Sequence, residues 1–143
     1  MPDPSTRSGR DLPTGTVTFL FTDIEGSAPL WEREPSQMRI ALARHDAILR
    51  AAILERGGHV YKNIGDAFQA AFALPAQAVE AALVAQRRLS AETWPTSTPI
   101  RVRMGLHIGP AEAQMIMPKR ARGLKRLFRY FGRRWRRSTS RSS

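Results

Sequence analysis

Twelve consecutive residues, Thr16-Val-Thr-Phe-Leu-Phe-Thr-Asp-Ile-Glu-Gly-Ser27, constrain the fold more than any other stretch of the chain. Their β-branched and aromatic run reads as a buried strand, and it stops abruptly at a carboxylate, Asp23. Glu25-Gly26-Ser27 then supplies a turn that glycine permits and a serine able to cap a following helix, so Asp23 would sit beside free backbone N–H groups. A carboxylate beside such N–H groups suits a metal-bound phosphate, because the N–H groups attract the anion while the carboxylate holds the cation. Taken alone, the same pattern also describes a strand that ends in a structural aspartate.

A chain of 143 residues with 42% hydrophobic content has room for one domain with a real core. It contains no cysteine, which removes disulfides, thiol nucleophiles and cysteine-ligated zinc. No apolar run is long enough for a signal peptide or a membrane span, so a soluble, cytoplasmic protein is expected. The net charge of +11 would suggest a nucleic-acid partner, but it is concentrated at one end. Residues 118–143 hold 11 of the 23 basic side chains and no acid, which leaves the preceding body neutral and without a compositional reason to bind a polyanion.

Residues 1–15, rich in Pro and Gly among polar residues, read as a disordered arm that cannot bury enough apolar surface to offset its ordering entropy. After the first strand, residues 28–32 form a short helix, and Pro35 opens a longer one to about Arg56, ended by Gly57-Gly58. Met38, Leu42, His45, Leu49, Ala52 and Ile53 give that helix one apolar stripe. His45, in its middle, reads as a packed residue with one satisfied hydrogen bond rather than a ligand.

Residues 59–62 and 66–72 are strand-like, and Asn63-Ile64-Gly65 between them reads as a hairpin turn with Asp66 just past its tip. An alanine-rich helix from Pro75 to about Glu92 offers Val79, Ala82, Leu83, Val84 and Leu89 as core contacts, and residues 100–106 alternate as a half-buried strand. The order predicts an α+β fold with a ferredoxin-like βαββαβ core, an antiparallel sheet with helices on one face. In that topology Asp23 and Asp66 reach one rim, where two carboxylates can hold two magnesium ions about 4 Å apart.

Phe21-Thr-Asp-Ile-Glu-Gly-Ser27, Lys62-Asn-Ile-Gly-Asp-Ala-Phe68 and Arg103-Met-Gly-Leu-His-Ile-Gly109, in that order, resemble the class III adenylate and guanylate cyclase catalytic domain of the bacterial type. The resemblance covers residues 16–113, about half to two thirds of that domain. It implies that Asp23 and Asp66 are metal carboxylates, that the Ile24 carbonyl adds a ligand, and that two Mg²⁺ or Mn²⁺ ions are held. It further implies that the backbone of Ile24, Glu25, Gly26 and Ser27 contacts a triphosphate and that Lys62 reads the purine, favouring ATP over GTP. Asn63, Ile108 and Pro110 depart mildly from the family pattern.

A larger departure follows Gln114. The family completes its site with an Asn-x-x-x-Arg helix, whose Asn orients the ribose and whose Arg stabilises the transition-state phosphate, and no such pattern follows. Loss of such an arginine costs about three orders of magnitude in rate. The resemblance therefore implies a cyclase domain incomplete at its C-terminus, with no complete catalytic set, inactive alone and supplying the metal half of a head-to-tail homodimer or of a dimer with a full-length cyclase domain. Residues 114–143 carry two readings. Leu124, Leu127, Phe128, Phe131 and Trp135 fall at helical spacing among Lys and Arg, as in a binding module that docks a basic amphipathic helix on an anionic membrane or a nucleic acid. The abrupt change in charge pattern, with arginine outnumbering lysine nine to two, instead favours an out-of-frame segment.

Overall fold

The computed structural model describes residues 15–111. The expected N-terminal arm and the basic segment lie outside the described residues, apart from Gly15 at the arm's end. Four strands form one antiparallel sheet, β1 (Thr16–Ile24), β2 (His59–Ile64), β3 (Ala67–Phe72) and β4 (Val102–Pro110), in the spatial order β2-β3-β1-β4. Three helices, α1 (Ser27–Arg33), α2 (Pro35–Glu55) and α3 (Pro75–Ala91), complete the expected βαββαβ order. The first and last of the described strands are neighbours at the centre and edge of the sheet, which is the ferredoxin-like arrangement.

Alternation along each strand sorts the core. Leu20, Ile24, Phe68, Ala70, Phe72 and Val102 are buried in one cluster with Met38, Leu49, Ile53 and Leu89 of the helices. The opposite face carries Val17, Phe19 and Phe21, with the Phe19 ring 6.1 Å from Phe21 and edge-on to Tyr61 at 6.0 Å. Burial pushes the Tyr61 pKa well up, so the hydroxyl stays neutral.

Helix α2 follows the expected stripe, with Ala41 and Ile48 added to it and Leu42 only half-buried. It closes with Gly57 in the left-handed region, φ 76°, where the N–H of Gly57 donates to Leu54 and that of Gly58 to Ile53, 3.1 and 2.9 Å, the paired bonds of a glycine C-cap.

Several expectations need correction. Asn63 and Ile64 are strand residues paired with Phe68 and Ala67, so the hairpin loop is Gly65-Asp66 alone, with Gly65 at φ 58°. A two-residue loop with glycine in its first position matches the strands' twist, and Asp66 therefore sits in the turn rather than at the start of β3. Serine 27 does not cap α1: Gly26, in the left-handed region, holds the N-cap position and no side chain caps the helix. In α3 the buried face is Ala78, Ala81, Ala85 and Leu89, whereas Val79 and Leu83 are exposed. Alanines let α3 lie close on the sheet and α2, an advantage that outweighs the greater hydrophobicity of the valine and leucine. The last strand begins at Val102 rather than Ile100 and runs on to Pro110.

Candidate active site at one rim of the sheet

The end of β1, the β2–β3 loop and the start of β4 meet at one rim. The pairing that places Thr22 opposite Phe68 carries Ile24 to the level of Asp66, and the Ile24 N–H donates to Asp66 Oδ2 at 3.1 Å. This bond ties the loop carboxylate to the residue after Asp23, so two acids 43 positions apart in sequence share the rim, as expected. Beside them, the Glu25 N–H donates to the Arg101 carbonyl at 2.8 Å and fixes the chain as it leaves β1.

Asp23 lies opposite Arg103 in the β1–β4 ladder. The Arg103 guanidinium grips it with two parallel bonds, Nε to Oδ1 at 2.8 Å and Nη2 to Oδ2 at 2.6 Å. Asp23's side chain is 16% exposed and Arg103's 60% exposed. Hydrogen bonding to Asp23, reinforced by the charges of Asp23, Glu25 and Asp66, raises the Arg103 pKa further. Arg103 carries no role by sequence alone, though it lies within the third motif; the signal that reveals it is an acid and a base falling directly opposite once β1 and β4 are paired antiparallel.

Lys62 is half-buried and lies across from Gln69, past a bulge between Val60 and Lys62. Register puts it on the face of Phe21 and Gly105, the same face as Asp23 and Arg103, and it forms no ion pair among the described residues. Behind the rim, His45 is fully buried against Phe68, ring centroids 5.8 Å apart. Its Nδ1 is 2.8 Å from Asp46 Oδ1 while Nε2 has no partner, the single satisfied bond expected of a packed neutral histidine. Burial lowers its pKa, and the Asp46 hydrogen bond and the charges of Asp46 and Asp66 oppose that only in part.

Among the described residues no group of three or more His, Cys, Asp or Glu gathers to hold a metal. A cation at this rim would rest on the hard oxygens of Asp23 and Asp66, with remaining ligands from backbone, water or substrate. That is a donor set magnesium or manganese accepts and zinc or copper would not select. The residues present fit such an ion, provided that Asp23 frees coordination sites now facing Arg103.

Comparisons with known proteins point to one family. The family model for the adenylate and guanylate cyclase catalytic domain matches residues 11–134. An adenylate cyclase of Lachancea kluyveri is 42% identical over 83 residues, 58% of this chain and 4% of that protein. An uncharacterized protein of Mycobacterium bovis is 41% identical over 102 residues, 70% of this chain and 33% of its own length. Among solved structures, an adenylate cyclase from Trypanosoma brucei in its monomeric state superposes with a TM-score of 0.66 at 29% identity, covering 73% of this chain and 61% of that one. The chain thus spans a third or less of these two relatives, and it belongs to the adenylate and guanylate cyclase catalytic domain family, class III.

Proposed function

We propose that this chain carries the metal-binding half of a nucleotide cyclase site directed at ATP, and that it converts no ATP by itself. The observation that carries the reading is the convergence of Asp23 and Asp66 on one rim through the Ile24 N–H. Two divalent cations, Mg²⁺ or Mn²⁺, would supply activation of the ribose 3′-hydroxyl and charge neutralisation on the phosphates, giving 3′,5′-cyclic AMP and pyrophosphate. Asp23, Asp66 and the Ile24 carbonyl hold them in this scheme. The Ile24, Glu25, Gly26 and Ser27 backbone orients the triphosphate, and Lys62 selects the purine. The family's Asn-x-x-x-Arg pattern is not found among these 143 residues, and in this scheme a second cyclase domain, paired head to tail, supplies the ribose-orienting and phosphate-stabilising groups.

The test is a cyclic AMP assay with Mg²⁺ and Mn²⁺ on the purified chain alone and mixed with a full-length cyclase domain whose own metal aspartates are replaced. The expected outcome is no product from either alone and product from the mixture, lost again with Asp23→Ala in this chain. Robust production by the chain alone, abolished by Asp23→Ala, would show a complete site and refute the half-site reading. The charge of residues 118–143, 11 basic side chains and no acid, supports a second reading as a binding module for an anionic membrane or nucleic acid. Steeply salt-dependent binding that disappears on deletion of those residues would favour it.

A further inference from the structure

We propose that Arg103 is a placeholder cation that occupies the Asp23 carboxylate when no metal is bound and is displaced from it by a divalent ion. The inference rests on the metal-site reading above and adds to it a residue that sets the affinity of that site. Both oxygens of Asp23 face the guanidinium at 2.8 and 2.6 Å. A carboxylate so engaged still has lone pairs, but a cation that approaches it must either displace at least one of these bonds or accept a positive neighbour within a few ångström.

The arrangement favours exchange over permanent pairing. Asp23 is nearly enclosed, whereas Arg103 is 60% exposed and can rotate its charge into water without dragging the strand with it. The rim holds three acids, Asp23, Glu25 and Asp66, whose charges all act on Arg103. One guanidinium neutralises only part of that charge. A divalent ion neutralises more of it, and it also engages Asp66, which Arg103 does not bond among the described residues. The register fixes the pairing, because Arg103 and Asp23 are direct cross-strand partners and no loop has to move to form or break it.

The test is Mn²⁺ binding by the full chain without nucleotide, followed by the electron paramagnetic resonance signal of the free aquated ion. Arg103→Gln should bind Mn²⁺ about two- to fivefold more tightly than the parent, the upper part of the range set by a partly exposed ion pair. The gain should vanish when Asp23→Asn is added. Arg103→Lys keeps the charge and loses the fork, so it should fall between the two, and it preserves the test if the glutamine variant melts early. Unchanged or weaker Mn²⁺ binding in both Arg103 variants, with Asp23→Asn still weakening the parent, would overturn the placeholder role while leaving the metal site standing. Mn²⁺ binding indifferent to Asp23→Asn and Asp66→Asn alike would overturn both.

Discussion

At the scale of single residues, His45 shows how the core depends on protonation. In the neutral form its Nδ1–H donates to Asp46 and its Nε2 lone pair lies unpartnered in the core, a modest cost. Protonation would place an N–H donor there with no acceptor and a charge among apolar groups, which is why burial holds the folded pKa below its ordinary value of 6.5. The unfolded chain therefore binds the proton more readily than the folded one. Stability is fully present above the unfolded pKa of about 6.5 and is lost as the pH falls from there toward the folded value. Thermal melts between pH 8 and pH 5 should show Tm falling below about pH 6.5, and His45→Gln should flatten that part of the profile while lowering Tm at pH 8. A variant with the parent's slope would assign the acid sensitivity to other groups.

At the scale of elements, the junction between α2 and β2 makes the most demanding test of packing. Gly57 needs its left-handed backbone, so Gly57→Ala should cost about 1 kcal/mol. Gly58 has a different constraint: a Cβ there would lie 2.4 Å from the Phe72 ring and 2.7 Å from Ile53 Cγ2, both fully buried. Gly58→Ala should cost about 2–3 kcal/mol, the upper part of the overpacking range, and urea titration should rank it clearly below Gly57→Ala in stability. The reverse order would mean that Phe72 has room to move.

Both glycines were legible in the sequence as a helix stop, because they follow a long apolar stripe with no other terminator. So were β1, the Pro35 and Pro75 helix starts and the strand-helix order, each marked by strong periodicity or by proline. The hairpin loop was not, since Asn63 and Gly65 are both turn formers and only pairing with β3 reveals that Asn63 belongs to the ladder. The buried face of α3 was hidden for a related reason. Hydrophobicity points to Val79 and Leu83, but close approach of the helix selects Ala78, Ala81 and Ala85. At the rim, Asp23 and Asp66 could be read from sequence because strand order alone brings them together, whereas the Arg103 fork depends on a register that sequence does not display.

At the scale of the molecule, the described sheet has two edges, β2 and β4, and they differ in cover. Along β4 the side chains facing the helical layer become steadily more exposed: Val102 is buried, Met104 is partly buried against the core, and Leu106 and Ile108 are 42% and 56% exposed. Helix α3 protects the strand near Val102, and its Gln86 reaches the Val102 carbonyl at 2.8 Å, but that cover fades over the strand's second half. The one Lys or Arg of this nine-residue edge strand, Arg103, lies near its start and is paired with Asp23, so the exposed Leu106 and Ile108 have no such charge beside them on the strand's second half to discourage pairing. The full chain should therefore associate with increasing concentration, as sedimentation velocity would show. Replacing Leu106 and Ile108 together with lysine should shift it toward monomer with little change in Tm, because both side chains already lie largely in solvent. Association unaffected by the double replacement would move the contact away from β4.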